Sequence, residues 1–235
     1  MLHISVPTGR RLVWYLAMEE YLAKHVKEET FVTWVVSPTV IFGRHQVMEA
    51  KVNVDFCHAN GIAMYRRKSG GGCVYADEGN LMVSYISTST HSEQVFQHYL
   101  DRMSDCLRTM GYDAVKSTHN DIMVGEHKVS GNACFALSQA TIVHGTLLYD
   151  VDFEVLQQAI TPSQEKLAKH GVESVRQRVI NIRDIEGTSI QSTTALAQTV
   201  QQFWCQDHFA LSEDDMQQMD AIEQEYLDPA FISRI

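Results

Sequence analysis

The sequence predicts an α+β fold, a mixed β-sheet flanked by helices, and three observations carry that prediction. Apolar residues recur at helical spacing in two long stretches, near residues 12–28 and 92–111. Short β-branched and aromatic runs, bounded by Gly, Pro, Ser and Asn, lie between and after them. Strand and helix signals interleave without the strict alternation that a doubly wound parallel sheet requires.

In chain order, Trp14, Met18, Tyr21, Leu22 and Val26 mark the stripe of the first helix. Residues 31–36 and 39–42 read as two strands around a turn at Ser37-Pro38. Residues 54–60 predict a short helix that Gly61 ends. Residues 62–65 predict a strand running into a glycine-rich turn, and 81–86 predict another strand. Phe96, Tyr99, Leu100, Met103, Leu107 and Met110 share one face of a helix that starts near Ser92 and stops at Gly111. The apolar runs 122–124, 133–137 and 141–149, separated by turns, predict a meander of strands. Beyond Ile185, Leu196, Val200, Phe203 and Trp204 fall on one stripe, which predicts a helical C-terminal tail over 186–235 of the same domain as residues 1–185.

The chain has 235 residues, 45% of them apolar and 20% charged, enough to bury a continuous core and too apolar for disorder. A net charge of −10 argues against nucleic-acid binding, which needs a basic footprint. Five scattered cysteines, with no C-x-x-C and no zinc-site spacing, point to free thiols in a reducing compartment. The apolar run 12–18 is closed by Glu19 and Glu20, is too short to span a bilayer and lacks a cleavage site. The expectation is a cytoplasmic protein with no membrane partner.

Two segments carry the chemistry. Arg66-Arg67-Lys68-Ser69-Gly70-Gly71-Gly72-Cys73-Val74 sets three cations before three glycines. Backbone N–H groups of such a loop can form an anion nest, with arginine adding bidentate contacts. It is neither a Walker loop nor the dinucleotide fingerprint, and a flexible surface turn with solvated charges is the plain alternative. Asp77, Gly79 and Asn80 follow at once and lead into a strand, which favours a pocket wall. The second segment runs from Asn120-Asp121 to Lys128-Val129-Ser130-Gly131. A lysine on a short strand before a Ser-Gly turn is either a fixed cation facing a ligand anion or a solvated hairpin-edge residue. Asn120 and Asp121 are turn formers or hold a metal-bound phosphate.

Together these segments resemble the lipoate–protein ligase family of the biotin/lipoate ligase superfamily. Residues 15–20 (Y-L-A-M-E-E) are similar to its L-A-x-E-E helix, and 39–46 (T-V-I-F-G-R-H-Q) to its strand ending in G-R-x-Q. Residues 66–72 with 77–80 match R-R-x-S-G-G-G and D-x-G-N, and Asn120-Asp121 with 128–131 match N-D-[IL] and K-[VI]-S-G. Residues 144–148 and 174–179 complete a series that keeps family order.

The resemblance implies a catalytic domain of the biotin/lipoate-ligase fold. It implies ATP-dependent activation of lipoate to lipoyl-AMP, then transfer of the lipoyl group to a lysine of a carrier domain. ATP and Mg²⁺ are the implied cofactors. The implied partners are lipoyl domains of 2-oxoacid dehydrogenase E2 subunits and the glycine cleavage H protein. Lys128 would contact the lipoyl carbonyl and the α-phosphate as an electrostatic clamp. Arg67, Ser69 and Gly70, Gly71 and Gly72 would line the acyl and phosphate side, with Asn80, Ser130 and Gly131 in the same motifs. Asn120 and Asp121 would sit near the adenylate, Asp121 as the Mg²⁺ ligand. Trp34 and Val74 would wall the acyl pocket, which needs apolar area, and His144 would lie on a strand lining it. Glu20 is a pocket residue or a solvated helix position.

Lys68 and Cys73 depart from the small residues usual at those places in the family. The larger members carry a further C-terminal accessory domain that is expected to be missing here, and in some relatives it is a separate small subunit. The nearest rival is an octanoyltransferase, whose thioester-forming cysteine would fall near residues 117–120, where Ser117-Thr118-His119-Asn120 stand. The G-R-G-R-x-G-R loop of biotin–protein ligases is not present. A binding protein without catalysis would be expected to lose Lys128 or the glycine loop, and both are here.

Overall fold

The computed structural model describes residues 1–25, 27–160 and 179–233. Its main sheet has eight strands: β1 (Leu2–Ser5), β2 (Thr30–Trp34), β6 (Asn80–Ser87), β7 (Ala114–Lys116), β8 (Asp121–Val124), β9 (His127–Ala136), β10 (Thr141–Leu148) and β11 (Asp207–Ala210). Their order is β11-β1-β2-β6-β10-β9-β8-β7. The pairs made by β1 are parallel and the others antiparallel, so the sheet is mixed. A second sheet places β3 (Thr39–Phe42) between β4 (Ala63–Arg66) and β5 (Val74–Ala76).

One face of the main sheet is covered by α1 (Leu12–His25) and α6 (Glu213–Leu227), the other by α3 (Ser92–Thr109) and α5 (Thr193–Trp204). The short helices α2 (Val54–Ala59) and α4 (Phe153–Ala159) pack with the small sheet, and α7 (Pro229–Ile232) follows α6. Every residue from Leu12 to Ala23 is buried, which a helix reaches only when it is covered on both sides. Here the sheet lies beneath α1 and α6 above it, fastened by Trp14 Nε1 donating to Asp220 at 2.6 Å. On the opposite face Trp204 stacks on Phe31 with ring centroids 4.6 Å apart, and each such buried aromatic contributes about 2–3 kcal/mol through burial.

The two strands around Ser37-Pro38 form, and they belong to different sheets. Pro38 has no N–H to offer a ladder, and its carbonyl accepts from Ala63 in β4. Two expectations are corrected. Ser130-Gly131 is not a turn but lies inside β9, and the tight turn falls at Gly125, whose φ is +58°. Residues 186–233 are more than a helical tail. They supply the edge strand β11, paired with β1 from Leu2↔Asp207 to Ser5↔Ala210. They also share the core on both sides of Ile185, since Ile182, Ile190, Leu196 and Trp204 belong to one cluster. The motif residues 174–178 lie outside the described residues.

Candidate active site

Lys128 is aimed by a register slip. Ile122 pairs with Ser130, but Met123 pairs with Lys128, so Val129 has no partner in the β8–β9 ladder. A bulge of this kind turns the following side chain to the other face. Ser130 therefore points, fully buried, toward the α3 side with Leu147 and Ile122, its Oγ donating to Asn132 Oδ1 at 3.3 Å. Lys128 points to the α1 side with Gly131 and Asp121. Its amine is 2.7 Å from Asp121 Oδ1, with a third of each side chain exposed, 32% and 29%. It also crosses the sheet over Gly131: a Cβ there would stand 2.8 Å from Nζ. The Lys128 carbonyl accepts from Ile180 N at 3.1 Å, which pins the strand from its other edge. This lysine is neither on a hairpin edge nor fully solvated.

The three cations before the glycines do not form an open positive patch. Arg66 is buried, its Nη1 donating to the carbonyls of Arg44 and Gln46 at 2.8 Å each and its Nε to Ile232 at 3.1 Å. Arg67 gathers the loop's own carbonyls. It donates to Gly70 O at 3.0 and 2.8 Å, to Gly72 O at 2.6 Å and to Ile41 O at 3.3 Å. Burial lowers its pKa to about 10, so it remains charged at neutral pH. Lys68 joins Glu20 of α1 to Glu225 of α6 at 3.0 and 2.7 Å and lies over the Tyr226 ring. A buried guanidinium must be satisfied, and here carbonyls of the loop and of Ile41 accept from it, so Arg67 ties the loop together. Because each peptide is planar and trans, carbonyls of Gly70 and Gly72 that face Arg67 turn the N–H groups of Gly71 and Cys73 the opposite way. The loop thus wraps its own carbonyls around the arginine as a hub.

The loop lies over β9 and β10. A Cβ on Gly71 would come 3.9 Å from that of Ala133, two residues from Gly131. Ser69 Oγ reaches His144 Nε2 at 2.9 Å, and His144 Nδ1 reaches Glu19 Oε2 at 3.1 Å. Glu19 Oε1 accepts from Ser84 at 2.5 Å, and Ser84 accepts from Trp34 Nε1 at 2.9 Å. Tyr15 stacks on Trp34 at 4.5 Å, and Val74 packs against the same cluster. Ser69, Trp34, His144, Gly131 and Lys128 thus share one side of the sheet.

Glu19 and Ser84 were not singled out from the sequence. Glu20 was, and it faces elsewhere, buried against Lys68 and accepting from the Tyr226 hydroxyl. Successive helix residues stand about 100° apart, so Glu19 meets the sheet while Glu20 meets α6. Two further candidates contact backbone groups. Asn80 is fully buried at the start of β6, its amide 3.5 Å from Tyr75 O. The exposed Asn120 clasps β9, its Nδ2 donating to Asn132 O at 2.6 Å and its carbonyl accepting from Asn132 N at 3.0 Å.

No group of three or more His, Cys, Asp or Glu side chains among the described residues is arranged to hold a metal. No helix among them is long and apolar enough to cross a membrane. A cleft of about 380 Å³ is lined by Tyr149, Asp150, Arg183, Thr188, Ile190 and neighbouring residues, and by none of the groups above. A fixed cation, a glycine loop on the same side of the sheet and a buried Ser-His-Glu line suit binding of an anion next to a polar group that undergoes proton transfer.

Residues 13–204 match the model of the lipoyl protein ligase A/B catalytic domain. The chain is 37% identical over 172 residues to lipoate–protein ligase 1 of Staphylococcus aureus and 36% identical to lipoate-protein ligase LplJ of Bacillus subtilis. Each alignment takes in 72% of this chain and 52% of the relative, so the chain spans about half the length of the curated relatives it matches. Its fold superposes with a TM-score of 0.85 on the bi-partite lipoate protein ligase of Thermoplasma acidophilum, at 24% identity, covering 99% of this chain and 95% of that one. An ATP-bound lipoate-protein ligase A superposes with a TM-score of 0.78 at 24% identity, covering 98% and 95%. With the motif blocks in order on this fold, the chain belongs to the lipoyl protein ligase A/B catalytic-domain family.

Proposed function

We propose that this chain is the catalytic part of a lipoate–protein ligase. It joins lipoate to AMP at the expense of ATP, with pyrophosphate as the other product, and passes the lipoyl group to a lysine of a lipoyl carrier domain. The observation that carries the reading is Lys128, bulged onto the side of the sheet that the glycine loop covers and held over Gly131. A fixed ammonium there stabilises the charge that develops on the carbonyl and phosphate oxygens. The N–H groups of the loop receive phosphate, and Trp34 and Val74 bound the acyl chain. Asp121 would offer one carboxylate to a Mg²⁺ ion accompanying the triphosphate, an ion that otherwise keeps water and phosphate oxygens and would neutralise phosphate charge. The relatives named lipoate–protein ligase support this chemistry, as do the ATP-bound neighbour and the Thermoplasma ligase described with its E2 lipoyl domain. Five free cysteines agree with a cytoplasmic setting.

Pyrophosphate release on adding ATP and lipoate, followed by the mass of an added lipoyl domain, tests the proposal. Release together with a lipoylated acceptor supports it. Transfer from supplied lipoyl-AMP without release would assign activation to a separately supplied part, as the bi-partite relative suggests. Absence of both activities would refute it.

Thioester chemistry is the other reading to weigh, and the thiols speak against it. Burial pushes Cys73 up to about 12 and Cys134 up to about 11, so at neutral pH neither presents the thiolate that a covalent route needs. Cys73→Ala is expected to keep at least about half of the transfer rate, since a covalent route requires an activated nucleophile; loss of a trapped acyl-protein along with activity would point to the thioester.

Gly71 tests the nest. Its φ is +94°, and a Cβ would stand 2.9 Å from the Arg67 guanidinium. Gly71→Val is expected to weaken lipoate and ATP binding by about tenfold or more, because a β-branched residue at this φ costs ~1–3 kcal/mol and reshapes the loop. Calorimetric titration showing unchanged affinities would remove the loop from the binding site.

A further inference from the structure

The line from Trp34 to Ser69 has a direction that follows from its donors. Trp34 Nε1–H can only donate, so the Ser84 oxygen accepts from it at 2.9 Å. The Ser84 proton then goes to Glu19 Oε1 at 2.5 Å. Oε2 of the same carboxylate is 3.1 Å from His144 Nδ1. A carboxylate accepts and does not donate, so the neutral form of His144 carries its proton on Nδ1 and leaves Nε2 as an acceptor. Ser69 Oγ, 2.9 Å from Nε2, therefore directs its proton at the imidazole. Its lone pairs stay available, in a residue 3% exposed beneath the glycine loop.

Serine so placed is a proton acceptor whose own proton already has a destination. The transfer step needs one. As the lysine amine of the carrier domain attacks the acyl carbonyl, the C–N bond forms, the bond to the AMP oxygen breaks, and the nitrogen must shed a proton. Lys128 is itself a cation, and Asp121 is tied to it at 2.7 Å. The other charged groups around the loop, Arg67, Lys68 and Glu20, are each held by partners of their own.

We propose that Ser69, His144 and Glu19 form a proton relay for lipoyl transfer. Ser69 takes the proton from the attacking nitrogen while its own passes to His144 Nε2. The electron pair of the broken bond leaves on AMP, and Glu19 balances the imidazolium until Nε2 returns the proton to solvent. Ser69 and His144 are catalytic in this scheme. Glu19, 2% exposed, is a positioning residue that acts through His144. The relay rests on the ligase reading above.

Single-turnover transfer from preformed lipoyl-AMP to a free lipoyl domain tests it, followed across pH with Glu19→Gln beside the unmodified chain. Glutamine keeps the shape and still accepts from Ser84, but it cannot balance an imidazolium. The transfer rate is expected to fall ~100-fold while affinity for lipoyl-AMP changes by less than about threefold, and the rise of rate with pH flattens. A Glu19→Gln chain that transfers as fast as the unmodified one overturns the relay, as does a fall of rate and affinity in equal measure. If the melting transition of Glu19→Gln is lost, Ser69→Ala, a smaller change in a loop, carries the same expectation and the same overturning results. An unmodified chain that transfers nothing from lipoyl-AMP would refute the ligase reading and the relay together, a result distinct from either of the others.

Discussion

Lys128→Ala is expected to lower lipoylation by roughly 10³-fold while leaving the fold in place, as removal of a preorganised charge from a developing oxyanion does. The stability cost should be small. The Lys128–Asp121 pair is about one-third exposed, and pairs of that kind contribute ~0.2–1 kcal/mol, or roughly 1–4 °C in melting temperature for a chain of this size. The backbone of Lys128 keeps its hydrogen bond to Ile180 whatever the side chain. Pyrophosphate release and single-turnover transfer, each beside a thermal melt, check this. A folded Lys128→Ala chain with substantial activity in both half-reactions would sink the role assigned to the lysine.

Gly79→Ala should behave in the opposite way. A Cβ at this position would fall far inside van der Waals contact with the Asp150 carbonyl and stand 2.8 Å from Val151 N. That backbone cannot step aside. Tyr149 N and Asp150 N both donate to Gly79 O, at 3.0 and 2.9 Å, and Asp152 N donates to Asp77 at 3.1 Å. The expected loss is about 3 kcal/mol or more, at the upper end of overpacking costs, or roughly 10 °C in melting temperature. Chemical and thermal unfolding measure it, and activity assayed well below the melt should be largely kept. Full stability with lost activity would instead make the Asp77–Asn80 turn a ligand-contacting element. The two substitutions thus separate a residue that acts from one that holds the scaffold, although both sit in motifs of the same family.

The fold class was legible because it rests on periodicity. Helices α1 and α3 carry apolar stripes or all-round burial, and β6, β8 and β10 are short β-rich runs between turn residues. Strands β1, β7 and β11 were missed. Each has only three or four residues, and β11, with the sequence Asp-His-Phe-Ala, is exposed throughout. Such strands exist because a neighbour completes their ladder, and a window of local sequence has no access to that neighbour.

The site divides in the same manner. The sequence by itself determined which residue types are available: a lysine between Asp121 and Gly131, three glycines behind three cations, a histidine on a strand, and the family that this order of motifs identifies. Only the tertiary structure decided what each of them does. Strict alternation would have set Lys128 and Ser130 on one face, and the bulge at Val129 sends them to opposite faces. Arg67 reads in the sequence as one of three loop cations, and in the fold its donors lie on the loop's own carbonyls. Glu19 and Glu20 are neighbours in the chain, yet one joins His144 and the other Lys68. In each case the deciding quantity is the direction of a side chain and the partner already occupying it. Those are set by register, helix rotation and burial across residues far apart in sequence, which is why they became visible only in the folded chain.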